Sequence, residues 1–271
     1  MKIMIRSDME GVTGVTTYDQ VEYDKPQYYV GQMMMMNDLQ AVIHGLLSTG
    51  NHEIIIYDEH TDGRNILLNQ LDKSVKVICG KPLYNPDWGG IDSSFDAMIM
   101  VGFHARSGTP DALLPHTYSR KNLAIKINGQ LMGEIAMEAA IAAEFGVPTI
   151  LVTGDSAGML EAREDIPGIK TVTVKDALGE FEALCYPSEY TRAILFNAAR
   201  EVVLAPPPVG LLRFDTPVQL EITLAESDYL EKFKRVYPDF LENDNIVHLE
   251  GSSVTEVWSR YLEMYLALKR A

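Results

Sequence analysis

The side chains in this sequence best suited to binding cations sit in short clusters separated by long apolar stretches. Asp8 and Glu10 stand in Ser7-Asp8-Met9-Glu10-Gly11, Asp58 and His60 in Asp58-Glu59-His60, His104 follows Gly102-Phe103, and Glu134 follows Gly133. In an extended segment residues i and i+2 project to the same side, so each close pair can present both donors together. Carboxylate oxygens and imidazole nitrogens bind zinc at about 2.0–2.2 Å. One carboxylate bridging two ions about 3.5–4 Å apart would make a two-metal hydrolytic centre, which polarises a carbonyl and brings the pKa of a bound water to roughly 7.

Taken singly, each residue has a plainer reading. Asp8 and Glu10 could cap the turn that follows them, and Asp58 could organise a loop. Glu134 is an acid of the kind the helix dipole favours in a first turn. His60 and His104 could be hydrogen-bonding histidines. Asp155, after another strand end, could support a site or close a turn. His44, His52 and His248 need no chemical role. The argument for a site therefore rests on what brings the clusters together.

The elements supply that. Short apolar runs alternate with helical patterns, the βαβ signature of a parallel sheet. Strands are expected at Lys2–Arg6, Glu53–Tyr57, Val75–Ile78, Asp96–Val101 and Thr149–Thr153, with helices at Tyr28–Thr49 and Glu134–Phe145. Leu123–Ile127 and Gln130–Met132 flank Asn128-Gly129, a pair suited to a tight hairpin turn. Met33–Met36 reads as helix core, since Met fills irregular gaps. The donor clusters then follow the carboxyl ends of separate strands, where open parallel sheets bind ligands. Pro206-Pro207-Pro208 breaks the pattern. Beyond it a strand at Gln219–Leu224, a helix at Ser227–Val236, a strand at Ile246–Leu249 and a helix at Ser253–Arg270 make a smaller unit. The expected fold class is α/β, a mostly parallel sheet flanked by helices, with a smaller C-terminal α+β unit. The boundaries are 1–205 for the metal-binding domain and 206–271 for the C-terminal one.

Composition narrows the partners. The 271 residues carry a formal net charge of −15, with 46% apolar and 23% charged residues. Nucleic acid is not an expected partner, because phosphate binding needs clustered Lys and Arg. Arg6, Asp8 and Glu10 interrupt what a secretory signal would need to be apolar. No run reaches the ~18 apolar residues of a membrane helix, so the expected compartment is the cytoplasm. Cys79 and Cys185 are too few for a disulfide scaffold and are expected to be buried apolar residues.

Taken together, Ser7-Asp8-Met9-Glu10-Gly11, Asp58-Glu59-His60, Gly102-Phe103-His104-Ala105-Arg106 and Gly133-Glu134 resemble, in order and spacing, the zinc-dependent D-aminopeptidase family. The resemblance implies two zinc ions per subunit. Asp8 would bridge them, Glu10 and His60 would complete one, and His104 and Glu134 the other. It also implies that His116, in Pro115-His116-Thr117, is the catalytic histidine, acting as nucleophile, general base or oxyanion stabiliser. From spacing alone His116 is an ordinary loop residue. The implied substrates are short peptides with an N-terminal D-amino acid, such as D-Ala peptides, and the implied assembly is a homo-oligomer, a decameric ring. Glu59 and Ser107-Gly108 depart from the family pattern beside ligands and bear on substrate choice.

Two rival readings remain at this level. The ligand set also suits another two-metal hydrolase, a metallophosphoesterase, an amidohydrolase or an L-specific peptidase. A metal- or small-molecule-binding protein with an inactive site is the non-enzymatic rival, against which the presence of all five ligand candidates and His116 argues. A serine hydrolase is a weaker reading, and no G-x-x-x-x-G-K-[ST] phosphate loop is present.

Overall fold

The computed structural model describes residues 1–80 and 88–270. The chain begins β1 (Lys2–Ser7), α1 (Tyr28–Leu47), β2 (Glu53–Asp58), β3 (Val75–Ile78) and β4 (Ala97–Phe103). The hairpin β5 (Asn122–Ile127) and β6 (Gln130–Leu131) leads into α2 (Glu134–Glu144) and β7 (Thr149–Asp155). Then come α3 (Ser156–Asp165), β8 (Lys170–Gly179), β9 (Glu182–Cys185) and α4 (Ser188–Leu204). The last elements are β10 (Val218–Leu224), α5 (Asp228–Val236), β11 (Leu241–Glu242), β12 (Ile246–Gly251) and α6 (Val254–Arg270).

A seven-stranded sheet runs β3-β2-β1-β4-β7-β8-β9, parallel except for β9, which pairs antiparallel with β8. Its central strands β4 and β7 are buried along their whole length. That explains their unbroken apolar runs, since helices cover both faces of such a sheet. Ile3, Ile5 and Val101 pack with α1 and α4 on one face. Met4, Met98, Met100 and Val152 pack with Ile135, Ala139 and Met159 of α2 and α3 on the other. The chain steps from β1 outward to β2 and β3, then returns past β1 to β4. This reversal opens a crevice at the carboxyl ends of β1 and β4, the place where such sheets bind ligands.

The C-terminal strands do not form a unit of their own. A second, antiparallel sheet has the order β11-β12-β10-β5-β6, so it takes in the hairpin at 122–131. The boundary at 206, drawn from the proline run, thus cuts across one sheet. The sequence leaves the partner of β5 unassigned, because its strand lies some ninety residues further on and pairing at that range has no local signal.

Helix α2 lies between the two layers. Ile135, Ala139 and Ala142 face the main sheet, whereas Ala136, Met137, Ala140 and Ile141 pack against the second sheet and α6. A helix apolar on every side is one that is buried on every side. The small alanines allow both layers to approach, and this clamp fixes where Glu134 begins the helix.

The elements from α3 to α4 carry no strong sequence pattern. α3 holds Glu161, Arg163, Glu164 and Asp165, so its apolar face is thin. Cys79 and Cys185 are both exposed free thiols, contrary to the expectation of burial. Each lies at an edge strand of the main sheet, Cys79 just after β3 and Cys185 at the end of β9. Among the described residues no helix is long and apolar enough to cross a membrane.

Candidate metal centre

Two loops at the reversal point are laced together by main-chain bonds. Asp8 N donates to the Val101 carbonyl and Gly11 N to the Gly102 carbonyl, each at 2.8 Å. The approach is too close for side chains. A Cβ at Gly11 would lie 1.8 Å from the Phe103 carbonyl oxygen, and one at Gly102 would lie 2.3 Å from that of Asp8. Gly102 also holds φ +82°, which glycine adopts without strain. These two glycines bring Asp8 and Glu10, after β1, against His104, after β4.

The five candidate ligands Asp8, Glu10, His60, His104 and Glu134 meet here, together with His116. The Asp8 carboxylate faces two ways, with Oδ1 at 2.9 Å from His60 Nδ1 and Oδ2 at 3.5 Å from His104 Nε2. Glu10 Oε2 lies 3.1 Å from His60 Nδ1. Glu134 Oε1 lies 3.5 Å from His104 Nε2. His116 Nε2 completes the ring, 3.9 Å from Glu10 Oε1 and 3.8 Å from Glu134 Oε1.

Each histidine is aimed by its other nitrogen. His60 Nε2 donates to the Val21 carbonyl at 2.8 Å, His104 Nδ1 to that of Ala105 at 2.9 Å, and His116 Nδ1 to that of Leu114 at 3.0 Å. A neutral imidazole that donates outward keeps its lone pair inward, the arrangement metal-binding histidines use. Asp58 is the loop organiser of its alternative reading: its carboxylate accepts from Asn65 N, Asn65 Nδ2 and Ile66 N. Asn65 Nδ2 in turn donates to the His60 carbonyl. Asp155 caps α3 through Ala157 N and Gly158 N.

The electrostatics are those of buried, crowded acids. Burial pushes the Asp8 carboxyl up to about 7, with Glu10 reinforcing it and His60 opposing. Burial also opposes ionisation of Glu134, yet the facing His104 brings it down to about 2. Glu10 is held well below the carboxylate range because His60, His116 and His104 outweigh its burial. His60 and His104 rise well above the imidazole range, since the carboxylates outweigh desolvation. His116 moves the other way, pushed down by burial and by His104.

The donor set fits divalent cations. Asp8 Oδ2, Glu10 Oε2 and His104 Nε2 are buried without a hydrogen-bond partner, which is costly unless something else satisfies them. One ligand atom each from Asp8, Glu10 and His104 lies within 4.8 Å of the others, and the same holds for His104, His116 and Glu134. Borderline-soft imidazole with hard carboxylate is a zinc-type set.

A family model described as D-aminopeptidase, peptidase family M55, matches residues 1–262. The chain belongs to the M55 D-aminopeptidase family. All six site residues fall within the matched M55 segment. A D-aminopeptidase of Bacillus subtilis (strain 168) is 28% identical over 233 residues, spanning 82% of this chain and 84% of its own. The solved structure of a Zn-dependent D-aminopeptidase, DppA from Bacillus subtilis, described as a self-compartmentalizing protease, matches with a TM-score of 0.92. It covers 100% of this chain and 99% of its own at 23% identity, a likeness of fold.

Two features of this M55 chain lie beyond what the sequence signals. Glu59, expected to bear on substrate choice, enters a buried ion-pair cluster beside the site. Its carboxylate accepts from buried Arg6 at 2.7 Å, and Arg6 also pairs with Glu138. Lys175 of β8 reaches under the Asp8–Glu10 loop. Period-2 alternation hides it, because the register shifts where Thr173 gives way to Lys175 opposite β7.

Proposed function

We propose that this chain is a zinc-dependent aminopeptidase that holds two zinc ions and hydrolyses short peptides with an N-terminal D-amino acid, D-Ala peptides among them. The observation that carries the two-ion reading is the division of the Asp8 carboxylate between His60 and His104. Glu10 joins His60 on one side and Glu134 joins His104 on the other, so these pairs would hold the ions with Asp8 shared between them. Family membership supports the peptide substrate and the D configuration, and the Bacillus subtilis relative's description supports zinc.

When bound, the zinc ions supply Lewis acidity toward the scissile carbonyl and an acidified water near neutral pH. The chain's own residues orient and move protons. His116 is the most open of the six, its side chain 14% exposed against 1–8% for the others, so substrate meets it first. Its Nδ1–H is committed to Leu114, which keeps Nε2 as the acceptor. That nitrogen takes the proton of the attacking water as the new C–O bond forms. It returns the proton to the leaving amine as the C–N bond breaks, a role suited to a histidine kept neutral by burial. Tyr18 sets its ring edge-on to His116 at 6.2 Å and gives the approach an apolar wall.

The self-compartmentalizing habit of the Bacillus subtilis relative extends, in this reading, to a homo-oligomer, a decameric ring. Exposed Leu178, Phe181 and Leu184 on the β8–β9 hairpin are available for such contacts. Light scattering on the eluting protein tests that assembly.

The deciding experiment is hydrolysis of matched D-Ala and L-Ala dipeptides by zinc-reconstituted protein, with an EDTA-treated control. Metal-dependent cleavage of the D form alone is expected. Cleavage of the L form would overturn the D preference, and silence on both with zinc bound would overturn the peptidase reading.

A further inference from the structure

Lys175 is wholly buried, in the main sheet, and the proton transfers at the metal centre give it no task. Its ammonium donates to three main-chain carbonyls of a single loop, those of Glu10 at 2.6 Å, Val12 at 2.7 Å and Val15 at 2.5 Å. An ammonium carries three donors and no acceptor, so the match is complete. The loop winds around Lys175 Nζ much as an oxygen-lined loop winds around a bound cation. An uncompensated ammonium at this depth would be costly. The carboxylates of Asp155 and Asp38 are among the groups that favour its charged form against burial.

Asp38 also ties the same loop from α1. Its carboxylate accepts from Thr13 N and from Thr13 Oγ1, each at 2.8 Å. Residues 10–15 are thus gripped by a cation from β8 and an anion from α1. Glu10 is where the grip and the metal centre meet: its carbonyl accepts from Lys175, while its carboxylate faces His60 and His116.

We propose that Lys175 is a positioning residue of the metal centre, an internal cation that fixes the Asp8–Glu10 loop in its ligand-ready shape before any metal arrives. This rests on the reading of Asp8 and Glu10 as ligands. Pre-organisation of this kind strengthens binding because the loop need not be ordered at the moment of binding. It also lets the carboxylates face one another, a geometry that a loose loop would relax by swinging one of them into water.

Two measurements test it, neither relying on turnover. In the first, the EDTA-treated full-length protein is followed by hydrogen exchange. The amides of residues 11–16 should be as protected without metal as with zinc added. Exchange at open-loop rates until zinc is added would overturn the proposal. In the second, zinc is titrated into EDTA-treated wild type and Lys175→Met against a chromophoric chelator, with near-UV circular dichroism reporting the folded state. Supporting groups of this kind typically change metal affinity by about 10–100-fold, and a loss of that size is expected in folded Lys175→Met. A purely structural role would lower the melting temperature but leave the zinc affinity of the folded protein at the wild-type value, which would also overturn the proposal. If Lys175→Met does not fold, hydrogen exchange on the wild type decides. Failure of the wild type itself to bind zinc would count against the metal centre and not specifically against Lys175.

Discussion

The imidazoles of His104 and His116 lie stacked, their centroids 4.3 Å apart and their planes 8° from parallel. One ring is fully buried among carboxylates and the other reaches the opening, so two residues of the same type sit in different chemical surroundings. His104 is pushed above the ordinary imidazole range by carboxylates that outweigh its burial, and His116 is pushed below it by burial and by His104 itself. Neighbouring titratable groups whose surroundings push them in opposite directions can take different roles at one site.

That separation predicts the behaviour of His116→Ala. General acid–base groups contribute about 10²–10⁴-fold to rate, and a fall in kcat of that size is expected with zinc content at the wild-type value. Steady-state kinetics and atomic absorption on the same preparation check it. His116, His104 and Glu134 place ligand atoms within 4.8 Å of one another, so loss of an ion in this variant would make His116 a ligand instead.

The divided Asp8 carboxylate predicts an asymmetry between neighbours. Asp8→Asn should lose both ions, because each oxygen faces a different partner set. Glu10→Gln should lose only the ion beside His60, leaving the pair His104 and Glu134 to hold the other. Metal analysis after dialysis against metal-free buffer distinguishes the two. Equal loss in both variants would remove Asp8 from the bridging position.

Much of this is legible in the sequence because the informative residues lie where local rules are strong. The largely buried strands β1, β2, β4 and β7 read as apolar runs, and candidate ligands follow the ends of three of them. The all-round burial of α2 likewise leaves a nearly apolar run, Ile135–Ala143, interrupted by the buried Glu138. Long-range relations have no such mark. The partnership of β5 with β10 needs a pairing across the chain, and a register shift conceals Lys175 from any alternation count. His116 sits in a loop held by the Leu114 carbonyl, a contact that no spacing encodes, and only resemblance to a family singles it out.

Metal should also stabilise the folded chain. Asp8, Glu10 and Glu134 converge while buried, so a ligand that binds only the folded state adds RT ln(1 + [L]/Kd). At ~1,000-fold excess over Kd this is about 4.1 kcal/mol. For a domain of this size ~1 kcal/mol corresponds to about 2–4 °C, so zinc should raise the Tm of EDTA-treated protein by roughly 10 °C. A thermal scan with and without zinc measures this, and an unchanged Tm would deny a specific site among these carboxylates.

The buried cation Arg6 of β1 predicts a stability effect without a metal effect. Arg6 is 2% exposed and joins Glu59 of the loop after β2 to Glu138 of α2, with a further hydrogen bond at 2.7 Å to the Trp88 carbonyl. Its guanidinium is held charged by Glu138 and Glu59, which together outweigh the burial that opposes it. Removing one member of a buried ion pair strands its partners, at about 3–5 kcal/mol. Arg6→Met should therefore lower unfolding stability by that amount in a denaturant titration. Zinc stoichiometry should hold, because Arg6 packs toward α2 while Asp8 and Glu10 turn to the crevice. Glu138 follows the candidate ligand Glu134 by one helical turn, so the same variant has a second use. A loss of zinc from folded Arg6→Met would mean that this ion pair sets the position of Glu134, and would couple the cluster to the metal centre energetically.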